Sequence, residues 1–140
     1  MSVVLKRAYD KPSATDGARI LVDRLWPRGI SKEAARIDRW LKDVAPSNEL
    51  RKWFHARPSM WQAFRKRYLE ELREPAASTS LEQLYDVVAS RKKVTLVFAS
   101  KNAEYNNATV LKELLEGMRK PPHSTGPAAA ASARIRRAAR

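Results

Sequence analysis

Asp16-Gly17-Ala18-Arg19-Ile20-Leu21-Val22-Asp23-Arg24-Leu25-Trp26-Pro27-Arg28-Gly29 carries the strongest structural signal in the chain. It opens on Asp-Gly, a turn pair. Ile20, Leu21 and Val22 follow as a short apolar run that suits a strand buried on both faces. The strand is read from Arg19 to Leu25, and it must leave the sheet at Pro27, because proline has no N–H for the ladder. The run ends in charge, at Asp23 and Arg24, with Arg28 just beyond. A buried strand that delivers an acid and two arginines to its C-terminal end is how open α/β sheets build ligand sites. A plain strand exit with solvated charges accounts for the same residues, and both readings stand at this point.

Outward from that strand the pattern alternates. Val3-Val4-Leu5 reads as a first strand running towards Ala8 and Tyr9, and Asp10 to Ser13 as a loop. Ser31 caps a short helix, 32–36. Residues 38–44 fit a third strand or, with Ile37, Trp40, Leu41 and Val44, a helical stripe. Ser47 offers the N-cap of a helix over 48–55, which Pro58 stops. Ser59 and Gln62 form a capping-box pattern opening a longer helix with Trp61, Phe64, Tyr68 and Leu72 on one face. Pro75 to Thr79 reads as a linker, and Ser80 with Gln83 as the next capping box. Val94 to Ala99 shows no alternation, so it suits a central parallel strand. A last helix buries Ala108, Leu111, Leu115 and Met118, with Gly117 near its end. This order predicts an α/β fold, a three-layer α/β/α sandwich with a small, mostly parallel sheet.

The 140 residues suit one domain, read as residues 1–118. From Arg119 the character changes to Pro, Ala, Ser and scattered Arg, which cannot build a core. Residues 119–140 are therefore expected to be a disordered basic tail. The chain carries 28 Lys and Arg against 15 Asp and Glu, a net charge of +13. Arg119, Lys120, Arg134, Arg136, Arg137 and Arg140 lie in the tail, which has no acid, so the body is moderately basic and the tail strongly so. Such a balance attracts polyanions. With no cysteine, disulfides, zinc-thiolate sites and thiol nucleophiles are excluded. His55 and His123 are too far apart to form a ligand pair. Neither a dinucleotide nor a Walker glycine loop occurs, so no cofactor or metal ion is expected. The N-terminus lacks the pattern of a signal peptide and no apolar run suits a membrane span, which predicts a cytoplasmic protein that does not enter membranes.

The candidate site residues gather at strand ends. Arg24 and Arg28 can clamp a phosphate or carboxylate with their forked donors, or pair with Asp23 and Asp43. Ser47 can add helix N-terminal amides to the same anion, or serve as a plain N-cap. Lys101 follows the central strand and opens on the same edge. Asn106 lies near it, as a ligand contact or a loop bond. Trp26 is placed to wall a pocket, whereas Trp40, Trp53 and Trp61 read as core. Asp23 and His55 are the acid–base candidates, with no partner group evident for either. Three functions compete: an anionic small-ligand domain that is an enzyme or a binder, a nucleic-acid-associated protein using the tail and the basic stretches 65–67 and 91–93, and an interaction module without chemistry. Nothing in the sequence signals the oligomeric state.

Several motifs together resemble the YeaO-like family, within the class of domain of unknown function 488. They are Lys6-Arg7-Ala8-Tyr9-Asp10, Asp16-Gly17, Leu21 to Gly29, Trp40 to Ser47, Leu50 to His55, Phe64 to Tyr68, and Val94-Thr95-Leu96. The resemblance implies a compact three-layer α/β/α domain and favours the strand for 38–44. It implies no established activity, and no recognition-helix pattern supports a transcription-factor role. The chain departs from the family early in the last helix. The family often reads Glu-His-Asn-His-Ala; here it is Glu104-Tyr105-Asn106-Asn107-Ala108. It also often reads Trp-Phe-His-His-Asp-Pro; here it is Trp53-Phe54-His55-Ala56-Arg57-Pro58. A use of those missing histidines for metal binding or proton transfer would be lost in this chain.

Overall fold

The computed structural model describes residues 2–118. In chain order it has β1 (Val3–Arg7), β2 (Ala18–Leu21), α1 (Lys32–Ala35), β3 (Arg39–Trp40), α2 (Asn48–Ala56), α3 (Trp61–Glu71), α4 (Pro75–Ser90), β4 (Val94–Phe98) and α5 (Asn107–Gly117). The fold is α/β, as the sequence predicts. Its four strands are all parallel, in the order β1-β4-β2-β3. β4 is thus central, its five residues all buried, and Leu96 lies beside Leu5 on one side and Ile20 on the other. That is why its sequence shows no polar alternation. Among the described residues, no helix is long and apolar enough to cross a membrane. The basic segment 119–140, and the expectation that it is disordered, lie outside the described residues.

The period of two along the strands divides the core. Val3, Ile20, Val22, Val94, Leu96 and Phe98 face the main core, which the four longer helices fill with residues such as Tyr68, Leu84, Val88, Leu111 and Leu115. Leu21, Val97 and Ala8 face the other way, against Trp26, Ile30, Ile37 and Trp40. This second layer is thin, built from one-turn α1 and its flanking loops. A buried ion cluster completes it. The Asp16 carboxylate accepts from Arg19 Nη1 (2.7 Å), Lys6 Nζ (3.1 Å) and the Ser13 amide (3.0 Å). Arg19 directs its remaining guanidinium nitrogens at the Ala35 carbonyl of α1. Burial opposes ionisation of Asp16, but the Ser13 amide, Lys6 and Arg19 outweigh it and hold the carboxyl below the usual range.

Several expected boundaries move. β2 ends at Leu21 rather than Leu25, although Val22 still donates its N–H to Val97. Of residues 38–44, only Arg39–Trp40 is strand, and Lys42–Val44 forms a 3-10 turn. A continued strand would put Val44 on the face of Trp40; the turn re-aims it, and Val44 is fully buried in the main core. Neither capping box forms at a helix start. α3 begins at Trp61 after Met60, with no side-chain cap. The expected linker 75–79 is the first turn of α4, with Pro75 at the position where a missing N–H costs nothing and Ser80 buried inside the helix. Gly117 is the last residue of α5, and Met118 follows as its cap.

Gly17 makes the tight entry to β2. Its φ of 67° and ψ of −142° lie in a region that is essentially glycine-only, and a Cβ there would meet the Lys93 carbonyl oxygen at 2.3 Å. Ala18 donates its N–H to that same carbonyl, so the close approach is part of the ladder. Gly17→Ala is expected to lower the unfolding free energy by about 3 kcal/mol, read as a shifted urea midpoint. A loss below about 1 kcal/mol would mean that the β4 entry yields easily.

Candidate functional site

The C-terminal edge of the sheet is organised by Asp23, two residues past β2. Its Oδ2 accepts the Ala99 N–H (2.8 Å) just after β4, and its Oδ1 accepts Asn107 Nδ2 (3.0 Å) at the first turn of α5. Asn107 Nδ2 also donates to the Val22 carbonyl at 2.9 Å. The Asp23 carbonyl takes the Trp40 indole N–H at 2.7 Å. One residue therefore joins the exits of β2, β3 and β4 to α5. Burial pushes the Asp23 carboxyl above its ordinary value, against the pull of the Ala99 amide, the Asn107 amide and the charge of Arg51.

Arg24 and Ser47 lie on the flank towards β3. Arg24 donates Nε to the Pro46 carbonyl (3.2 Å) and Nη2 to the Ala45 carbonyl (3.0 Å). Its Asp43 contact, at 3.9 Å to an exposed carboxylate, is the weaker one. Tyr68 Oη donates to the Val44 carbonyl at 2.5 Å. Three successive carbonyls, which no strand partner reaches, are thereby satisfied by side chains. Burial raises the Tyr68 phenol well above its ordinary value, with the Asp23 and Glu71 charges adding and Arg24 opposing. The N-terminus of α2 does hold an anion, and it is the chain's own. Glu71, the last residue of α3, accepts from the Ser47 amide (2.8 Å) and the Ser47 hydroxyl (2.6 Å), while Ser47 Oγ accepts the Leu50 N–H.

The remaining candidates are placed differently. Trp26 donates its indole N–H to the Ile30 carbonyl and meets Trp40 edge-on, ring centroids 5.4 Å apart, in the thin second layer. Arg28 is exposed, and its carbonyl accepts the Tyr9 hydroxyl past β1. The Arg24 guanidinium is thus held at the β3 end of the strand order, and the Arg28 backbone beside the chain that follows β1. Lys101 is exposed in the loop after β4. Asn106 is the N-cap of α5: it accepts the Thr109 N–H and donates to the Asn102 carbonyl. His55 is exposed in the last turn of α2. Among the described residues no cluster of His, Asp and Glu is placed to hold a metal ion. Asn107 and Glu71 are the residues that sequence reasoning missed. Asn106 and Asn107 are equally good caps by type, and only the fold turns the second towards Asp23. Glu71 carried no signal, being one acid among several at the end of a helix.

The family model described as the inactive DUF488-N3 subclade matches residues 2–134. An uncharacterised protein of Mycobacterium tuberculosis is 44% identical over 115 residues, 82% of this chain and 94% of that protein. The uncharacterised protein YeaO of Escherichia coli is 42% identical over 118 residues, 84% of this chain and all of that protein. No solved structure matches the chain.

Two consequences of this edge are measurable. Glu71→Ala leaves the Ser47 amide without its acceptor and removes a charge-assisted bond at a helix N-terminus. It is expected to cost about 2 kcal/mol of stability, read by urea unfolding; no change would mean that water replaces the carboxylate. Asp23 gives a pH dependence of definite sign. Its folded pKa is raised above the ordinary 3.8, so the folded state binds the proton first and ionisation costs stability. That cost is complete above the folded pKa and is relieved as pH falls through it. Asp16 acts oppositely, its contribution being lost only as pH falls through its depressed pKa. The stability difference between the wild type and Asp23→Asn is therefore expected to shift in favour of the wild type from about pH 7 to about pH 4. A constant difference would show that Asp23 titrates normally.

Proposed function

The chain belongs to the YeaO-like DUF488 family, in the branch described as its inactive DUF488-N3 subclade, and on that premise we propose that it is a domain without catalytic chemistry that binds polyanions through its basic surface. The observation that carries the first half is the partner of Asp23. Its side-chain partner is the Asn107 amide, at a position where the resembled family often has histidine. An imidazole there would make a carboxylate–imidazole pair able to hold and pass a proton near neutral pH; a carboxamide cannot. The description of the matching family as inactive agrees with that loss.

Charge supports the second half. Among the described residues Lys6, Arg19, Arg24, Arg65 and Lys112 pair with carboxylates. Many other cations, Arg28, Lys52, Lys66, Arg73, Lys92 and Lys101 among them, do not. A small anion held at the sheet edge is the weaker alternative. Arg24 and Ser47 already direct donors at the chain's own carbonyls and at Glu71, which leaves Arg28 and Lys101 for such a ligand.

The full chain is expected to bind heparin and labelled DNA at about 50 mM salt, with log affinity falling linearly with log salt. If the six cations of residues 119–140 take part, removing them reduces the slope by up to about five units. An equal slope would place the contacts on residues before 119. Absence of binding to every polyanion at low salt would overturn the proposal.

A further inference from the structure

A groove runs between the start of α3 and the loop that follows β4, lined by Pro58, Met60, Trp61, Ala63 and Tyr105. Two of the large apolar side chains that the described residues leave exposed meet in it, Met60 at 44% and Tyr105 at 45%. The Tyr105 ring lies 5.1 Å from Trp61, at 48°. Trp61 is backed by Phe54 (5.9 Å) and Phe64 (5.8 Å), which stack on each other at 4.3 Å. Tyr105 is therefore the outermost of a set of rings rooted in the core.

The loop also holds Tyr105 in place from behind. Asn102 Oδ1 accepts the N–H groups of Glu104 (3.0 Å) and Tyr105 (2.9 Å). Asn106 Nδ2 donates to the Asn102 carbonyl, and Thr109 Oγ1 donates to the Glu104 carbonyl. An aromatic side chain, half exposed on a loop this well tied, is presented rather than left over. Cations flank it. Arg57 immediately precedes the groove; its guanidinium lies 5.5 Å from the Trp53 ring centroid, and that of Arg67 lies 4.2 Å from the same ring. Lys101 belongs to the Tyr105 loop. Among the described residues none of these three pairs with a carboxylate, and the acid within the loop is Glu104.

We propose that this groove binds single-stranded nucleic acid, with a base stacked on Tyr105 and phosphates held by Arg57 and Lys101. The inference rests on the polyanion reading above and gives it a place and a ligand class. Exposed rings beside unpaired cations are what sequence-tolerant single-strand binding requires, because every unpaired base has a face to stack and every linkage a charge. A duplex keeps its base faces covered and offers Tyr105 nothing beyond its phosphates. The unpaired cations favour a polyanion over an apolar protein surface as the occupant.

The experiment measures binding of the full chain to labelled oligothymidylate, a duplex of equal length and heparin, for the wild type, Tyr105→Ala, Tyr105→Phe and Arg57→Ala. Oligothymidylate is expected to bind more tightly than duplex. Tyr105→Ala is expected to weaken oligothymidylate binding about five- to 150-fold while leaving heparin binding within about twofold, and Tyr105→Phe to retain the wild-type affinity. Arg57→Ala is expected to lower the salt slope by about one unit, which keeps the proposal testable should Tyr105→Ala fold poorly. Unchanged oligothymidylate binding in both Tyr105→Ala and Arg57→Ala, with heparin still bound, overturns the groove and leaves the polyanion reading intact. Loss of all three ligands in the wild type at low salt overturns both. Self-association that Tyr105→Ala abolishes, without any preference for single strands, overturns the groove in favour of a protein occupant.

Discussion

The strand exits of this domain are held together by the side chains of two adjacent residues, Asp23 and Arg24. β3 has two residues of ladder and a single neighbour, so backbone pairing cannot fix the chain that follows it. Arg24 does so by donating to the Ala45 and Pro46 carbonyls, and Tyr68 adds the Val44 carbonyl. Asp23 performs the matching task on the other side, where β4 ends and α5 begins. A buried acceptor left unpaired costs about 1–3 kcal/mol, so this set of bonds decides whether the short edge strand can exist at all.

The same constraint limits chemistry. An open α/β sheet ordinarily leaves the C-terminal ends of its strands available to a ligand. Here Arg24 and Ser47 direct their donors at the chain's own acceptors, and the helix N-terminus that could cradle an anion is closed by Glu71. Burial raises the Asp23 carboxyl above its ordinary value. Its neighbour Asn107 offers hydrogen bonding without proton transfer. The arrangement is a structural keystone, joining the strand exits to α5.

Two sides of the molecule differ in how their charge is held. The thin layer around Trp26, Ile30 and Trp40, with the Asp16–Arg19–Lys6 cluster beneath α1, is closed by paired charge and hydrogen bonds. The α2–α3 turn, with the loop before α5, exposes rings and unpaired cations instead. Charge that is neutralised by carboxylates stabilises the fold locally, whereas charge left facing solvent acts at a distance on whatever polyanion approaches.

Sequence alone determined what depends on local pattern. The apolar runs at Ile20 to Val22 and Val94 to Phe98 have strand character in any context. The stripes at Phe64 and Tyr68, and at Leu111 and Leu115, have a helical period, and Asp-Gly at Asp16-Gly17 demands a turn. Caps at Ser31 and Ser47 were legible as side chains suited to accept a helix N–H, although Ser59 and Ser80 looked as suitable and do not cap; Asn106, read as a ligand contact or a loop bond, is the cap of α5. Tertiary structure decided which of these equivalent signals was used. It absorbed Pro75 to Thr79 into α4, and it cut β3 short so that Val44 could enter the core. It also brought Asn107 to Asp23 and Glu71 to Ser47, pairs 84 and 24 residues apart. Such pairs leave no trace in a local window, because a carboxylate or an amide has the same composition whether it faces water or a buried donor. Only the chain's return through the sheet determines which it meets.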